Sequence, residues 1–498
     1  MDEKGEGRFE GDVRGRAPAP TRAHAGGGPA HRKGTPCMSQ RILRNGGGYT
    51  SLISETQRKR LEKRRLFSKV TSNGTVAAAV MVLAAIAAVV CANTDAYAAV
   101  HEFMSDPREF IVLGGFTVEM SFEVFVNDFL MAIFFLLVGV ELKYEMTVGE
   151  LKRPGNAVLP MLAAVGGVIV PAAIYAVVNR AGAIGGWAVP MATDIAFALG
   201  VLSLLGKRVP AGVKVFFTTL AIADDLLAIA VIALFYGESP DVAWLAASAL
   251  ATAVLVLLNR RQVFSLAPYM LVGFALWCCL YESGVHATLA GVIIALALPA
   301  RSDIRADHLV DWMRSKLPEI ADKYDDEVHI LGQHDFTHAI AGIERVMHRV
   351  SPPLKRVEHY TSTLVNFVIL PVFAFVNAQV RLVGVDLAAL AVDPVVVGTF
   401  FGMVVGKPLG IVGVSYLCVK LRLCRLPHGV SWGHIVGVGL LGGIGFTMSI
   451  LISGLAFSAS PESLLAAKAA ILAAAVTSAA LGMAWMSTAC RARSGGRG

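Results

Sequence analysis

Three carboxylates lie where a bilayer would least tolerate them. Asp194, Asp224 and Asp225 fall inside the stretch GWAVPMATDIAFALGVLSLLGKRVPAGVKVFFTTLAIADDLLAIAVIALFYG, residues 186–237. Two apolar runs, each near the length that crosses a membrane, are joined there by a short basic loop. Asp224 stands close to the middle of the second run. A charge at the centre of a spanning helix costs about 2.5–3.5 kcal/mol, so such residues must face a protein interior or a water-filled path. The default reading of the group is an ion or proton site.

Asp224 and Asp225 are neighbours, and on a helix their side chains diverge by about 100°. One can face an ion while the other meets a different partner. Burial penalises the charged form of both, and a close pair titrates as one unit. The site is neutralised either by protons or by a hard cation with oxygen ligands. Those two occupants compete, and competition is what proton-coupled exchange requires. The alternative is an ion pair that only holds helices together. The candidate partner is Lys407, near the middle of the run VVVGTFFGMVVGKPLGIVGVSYLCV. A lone lysine there is either costly or neutral, and pairing with an aspartate removes the problem.

Pro190, Thr193 and Asp194 predict an interruption of the fourth run, with Thr193 or Asp194 capping the half-helix that follows. Gly439, Gly442, Gly443 and Gly445 predict a second interruption in the eleventh run, VGVGLLGGIGFTMS, unless they serve close helix packing. Broken helices of this kind hold ions with freed backbone groups. Their paired positions fit two related halves of opposite hand. Asp128, Glu141 and Glu145 flank the second run. They either line a funnel on the inner side or mark the interface, and Glu358 and His359 stand ready to join the same surface.

The elements that position these residues are membrane spans. The 498-residue chain is 55% hydrophobic and only 16% charged, with a mean hydropathy of +0.61; soluble domains carry about 25% charged residues. The fold class is an all-α polytopic membrane protein of about twelve spans. The runs lie at about 75–92, 124–142, 157–178, 187–205, 213–236, 242–258, 264–281, 284–299, 361–380, 395–419, 432–457 and 464–487. An even count puts both termini on one side. Short connections on that side carry Lys143, Lys152, Arg153, Lys207, Arg208, Lys214, Arg260 and Arg261, whereas the opposite ones carry only Arg108, Arg180 and Arg381. The positive-inside rule therefore makes both ends cytoplasmic. The formal charge of +7 reports orientation and implies no nucleic-acid partner.

Residues 1–66 read as a disordered basic tail, 67–300 as spans one to eight, 301–360 as a polar cytoplasmic insertion, 361–488 as spans nine to twelve and 489–498 as a basic tail. The insertion carries His308, His329, His334, His338, His348 and His359. It reads as a solvated tether rather than a metal site. EFIVLGGFTVEM, between the first two spans, reads as a small extracytoplasmic β-hairpin around Gly114 and Gly115. The seven cysteines show no metal-ligand spacing, and no disulfide, metal cluster or cofactor is expected.

The runs NDFLMAIFFLLVGVELK, ATDIAFALGVLSLLG, AIADDLLAIAVIALFY, SGVHATLAGV, VSPPLKRVEH, GKPLGI and GIGFTMSI resemble the NhaA family of sodium/proton antiporters. The likeness spans about residues 70–490. It implies an inner-membrane exchanger of Na+, and also Li+, against protons, with inverted repeats and helices four and eleven unwound and crossing. It implies a transporter and not an enzyme. Carried over by motif, Asp224 and Asp225 are the sodium- and proton-binding aspartates, Thr193 and Asp194 mark the break, and Lys407 is the midplane lysine. The likeness further implies a homodimer through the hairpin near Gly114, electrogenic exchange, and activation at alkaline pH with Glu141 and Glu145 in the pH response. Tyr144 stands where the family has arginine, Gln379 stands where it has glycine, and the 301–360 insertion is long. A rival reading from another class is a sodium-coupled organic-solute symporter with similar broken helices.

Overall fold

In hydrocarbon a backbone must satisfy its own polar groups, so long apolar runs close into helices. The computed structural model describes residues 74–494, apart from 114–115, 153, 181, 238–239, 303, 305 and 428. The expected N-terminal tail and the Gly114–Gly115 turn lie outside the described residues. In chain order come α1 (Gly74–Ala92), α2 (Tyr97–Ser105), β1 (Arg108–Leu113), β2 (Phe116–Met120), α3 (Phe122–Thr147) and α4 (Pro154–Val178). A 3-10 stretch, Ile184–Met191, precedes α5 (Ile195–Leu204). Then follow α6 (Ala211–Phe235), α7 (Val242–Arg260), α8 (Leu266–Glu282) and α9 (Leu289–Ala297). The insertion holds α10 (Ala306–Asp322) and α11 (His334–Val350). The chain closes with α12 (Pro353–Asn377), α13 (Pro394–Lys420), α14 (Trp432–Gly442), α15 (Phe446–Ala456) and α16 (Pro461–Ser494).

Among the described residues nine helices are long and apolar enough to cross a bilayer, counting 184–204 as one, and α14 with α15 form a tenth span bent by 44°. The protein is therefore a multi-pass membrane protein. Two of the twelve expected runs fall short of that test. The run at 264–281 gives the 17-residue α8, and that at 284–299 gives only the 9-residue α9. Strands β1 and β2 pair antiparallel, with Arg108 opposite Met120 and Leu113 opposite Phe116.

Several boundaries move. The helix of span nine begins at Pro353 and not near 361. A proline at the first helical position gives up no hydrogen bond, so LKRVEHY extends the helix beyond its apolar part. The insertion, expected as a solvated tether, holds two helices. In α10, Glu319 is held by Lys316 at 2.6 Å and Lys323 at 2.9 Å, three and four residues away. Past 488 the chain does not leave the helix, because α16 runs on to Ser494. The insertion departs and returns at one place: Leu354 N donates to Pro299 O at 3.4 Å. Beside that seam the Lys143 ammonium of α3 donates to Leu296 O at 2.6 Å and to Leu298 O, closing the open carbonyl end of α9.

Spans cross closely where glycine removes the side chain. A Cβ on Gly410 of α13 would sit 2.6 Å from the carbonyl carbon of Gly166 and 3.1 Å from Gly167 N, both in α4. Backbone cannot swing aside as a side chain can. The Gly410→Val variant is expected to lose about 1–3 kcal/mol or more through overpacking, read as a lower midpoint of thermal unfolding in detergent. An unchanged midpoint would show that α4 and α13 have room to separate.

Candidate functional site

The two interruptions lie against each other. Span four breaks at 192–194 and span eleven at 443–445, between α14 and α15. Each break frees backbone groups that lipid cannot serve, and the other break serves some of them. Asp194 N donates to Ile444 O at 2.6 Å. Thr193 Oγ1 donates to Gly442 O at 2.8 Å. Asp194, and not Thr193, caps the half-helix: its Oδ1 accepts from Phe197 N at 2.9 Å. Its Oδ2 accepts from Thr447 Oγ1 at 2.8 Å and Thr447 N at 3.3 Å, at the start of α15. One carboxylate thus ties the beginnings of both second half-helices together, each offering the positive end of its dipole.

Lys407 completes the lattice. Its ammonium donates to Asp224 Oδ2 at 2.6 Å and to Thr193 Oγ1 at 2.8 Å, with the lysine 0% and Asp224 1% exposed. A continuous chain of donors and acceptors therefore runs from Asp224 on α6, through Lys407 on α13 and Thr193, to Gly442 O on α14. The lysine directly follows a wide π-helical turn, Gly402–Gly406, and precedes Pro408, which has no N–H to give. The local helix is loosened where the charge must reach sideways.

Asp225 is turned elsewhere, as adjacent positions on a helix require. It is 3% exposed and its Oδ1 has no hydrogen-bond partner, as is also true of Asp224 Oδ1. Asp225 lines a cavity of about 320 Å³ together with Asp194, Thr193 and Thr447, and Asp224 does not line it. Glu141, Glu145 and Glu358 line the same cavity. Sequence left open whether these glutamates form a funnel or mark the interface. The structure places them on one cavity with the buried aspartate, while Asp128 and His359 are not among its lining residues. Tyr144 lies at the cavity too, with the Lys355 ammonium 5.1 Å from the centre of its ring and bonded to Glu358 at 2.6 Å. Gln379 reaches Met104 Sδ at 3.6 Å, between the end of α12 and α2.

The region 68–486 matches the family model described as Na+/H+ antiporter 1. The chain belongs to that family. A Na+/H+ antiporter NhaA of Oleidesulfovibrio alaskensis is 43% identical over 410 residues, covering 82% of this chain and 90% of the relative. One from Janthinobacterium is 41% identical over 407 residues, covering 82% and 89%, and one from Mesorhizobium japonicum is 44% identical over 377 residues, covering 75% and 85%. The family is one of transporters, not enzymes. Thr193, Asp194, Asp224 and Lys407 are joined by hydrogen bonds around the two breaks, and Asp225 lines the cavity beside them.

Two features had no clear signal in the sequence. Thr447 joins the site through a hydroxyl, which costs little inside a span and so does not stand out. The π turns at 125–130, 365–369 and 402–406 interrupt apolar runs without any polar residue marking all three.

The Lys407–Asp224 pair supplies a stability test. Removing one member of a buried pair costs about 3–5 kcal/mol because the other is left uncompensated. Lys407→Ala is expected to lower thermal stability by that order. Asp224→Asn combined with Lys407→Gln is expected to recover much of it. Thermal unfolding of the two singles and the double in detergent measures the coupling, and simple additivity would show that the 2.6 Å contact carries no energy.

Proposed function

We propose that the protein exchanges Na+, and Li+, for protons, with Asp225 as the residue that holds either. The observation that carries the reading is the division of labour between adjacent carboxylates. Asp224 is neutralised by Lys407, whereas Asp225 faces the cavity with an oxygen that no described residue satisfies. An unpaired buried carboxylate must take a cation from outside. Asp225 and Asp194, with the hydroxyls of Thr193 and Thr447 close by, offer the all-oxygen surroundings a hard alkali cation prefers. A proton on Asp225 removes the charge that holds the metal ion, so the two cargoes displace one another at one place.

In this reading the cavity from Glu141, Glu145 and Glu358 to Asp225 is the cytoplasmic access path. Its carboxylates favour cations, and they supply the pH response. An electrogenic cycle that exports Na+ needs more than one proton for each metal ion, and in this reading Asp225 takes one of them. The crossed breaks support two halves of opposite hand within twelve spans, with α8 and α9 as the seventh and eighth. The basic connections support cytoplasmic termini in a bacterial inner membrane, and the paired strands β1 and β2 support a homodimer joined through the hairpin. No cofactor enters the cycle.

Asp225→Asn keeps shape and hydrogen-bonding capacity but cannot hold a cation by charge. It is expected to insert and purify normally and to abolish sodium-dependent proton release in everted vesicles. Substantial exchange by this variant at normal expression would remove Asp225 from its role. Asp194→Asn keeps the cap and the Thr447 contact in part, so it is expected to raise the apparent KM for Na+ without stopping exchange. An unchanged KM, or complete inactivity, would contradict the ranking of the two aspartates.

A further inference from the structure

Four oxygens gather at the crossing of the two breaks without belonging to the cavity of Asp225. They are those of Ala192, Met403, Ser449 and Ser478, and none of these residues lines that cavity. Two glycines of span eleven bring them together. A Cβ on Gly443 would stand 2.5 Å from Met403 O and 2.5 Å from Ser478 Oγ. One on Gly445 would stand 2.6 Å from Ser449 Oγ and would also meet Ala192 O, with Met403 Cε 3.0 Å away. Met403 therefore touches both bare faces. The oxygens lack what burial demands. Ser449 is 0% and Ser478 1% exposed, and neither hydroxyl has a hydrogen-bond partner among the described residues. Met403 O belongs to the π turn Gly402–Gly406 of α13. Of the two amides that could serve it from the next turn, Lys407 N donates to Gly402 O and Pro408 has no N–H. The half-helix α14 ends at Gly442, so the negative end of its dipole borders the same place. Several unserved oxygens at one buried point call for a ligand that accepts nothing and attracts lone pairs.

We propose that this cluster is a second cation site, which takes an alkali cation on neutral oxygens alone. Two carbonyls and two hydroxyls are hard donors of the kind Na+ and Li+ prefer. Carbonyls freed by unwinding and the C-terminal ends of half-helices hold ions in other broken-helix transporters. No carboxylate is among the four, so binding here displaces no proton. That separates the site from Asp225, where proton and metal ion compete and affinity falls as the pH falls. The ligands come from span four, α13, α15 and α16, so a bound ion ties span twelve to the crossing. The inference stands apart from the exchange assigned to Asp225.

Thermal unfolding of the purified full-length Asp225→Asn variant in detergent tests this. NaCl is titrated against choline chloride at constant ionic strength, at one mildly acidic and one alkaline pH. Na+ is expected to raise the unfolding temperature saturably, with the same half-saturation at both. Ser449→Ala and Ser478→Ala, each added to Asp225→Asn, are expected to weaken the apparent affinity about tenfold. Both should unfold normally without Na+, since neither hydroxyl gives up a bond to a described residue. No stabilisation by Na+ would leave only water among these oxygens and overturn the site. Stabilisation that fades at the acidic pH, as a remaining carboxylate such as Asp194 would give, overturns it too. So does stabilisation that survives either serine change at full affinity. Exchange by Asp225→Asn in vesicles reports on Asp225 alone, so failure of that assignment and failure of this one are told apart.

Discussion

The ion pair between Lys407 and Asp224 is the interaction on which the rest of the transport core depends. Both groups are sealed from solvent, where desolvation of either one alone would cost several kcal/mol. Their union holds α6 against α13 and, through the second bond of the ammonium to Thr193, brings both to the break in span four. The same pairing leaves Asp225 outside the neutralised set. A site that must bind a cation reversibly needs a charge that its own scaffold does not cancel. Here two consecutive residues on one helix differ in just this way: Asp224 is paired with Lys407, and Asp225 lines the cavity.

Backbone chemistry sets the second constraint. An interrupted helix inside a membrane exposes N–H and C=O groups that lipid cannot satisfy. The two breaks answer each other: Ile444 and Gly442 carbonyls receive Asp194 N and Thr193 Oγ1. Neither interruption would be tolerable alone. Asp194 is then held by Thr447 and Phe197 N, so the same carboxylate also fastens the two breaks to each other. Its replacement by a residue unable to accept hydrogen bonds would trouble architecture before chemistry.

The charges at the site were legible in the sequence because charge inside an apolar run is expensive and demands a partner. That argument paired Asp224 with Lys407 and marked both breaks from Pro190 and the glycines of span eleven. It could not choose between Thr193 and Asp194 as the cap, since both types cap equally well and only the direction of the chain at the break decides. It overlooked Thr447, whose hydroxyl is commonplace in a span. Hydropathy also misplaced the ends of α12 and α16, because it reports where a helix is apolar and not where its hydrogen bonds stop. The reading of the insertion as a solvated tether was silent on its helices, although Lys316, Glu319 and Lys323 sit at helical spacing. Tyr144 was noted for its identity, but its companion Lys355 came from a distant span and could only be found in three dimensions.

The backbone bond between Leu354 and Pro299 has a consequence for how this protein can change. Everything between those residues is an excursion whose two ends already meet, so the spans experience it as a tight turn whatever its length. Doubling such a loop adds only about 0.6 kcal/mol of closure entropy. The junction is a natural port for splicing. A change of length there leaves the end of α9 and the start of α12 joined as they are, while α11 still has its neighbours at residues 262–265 to satisfy.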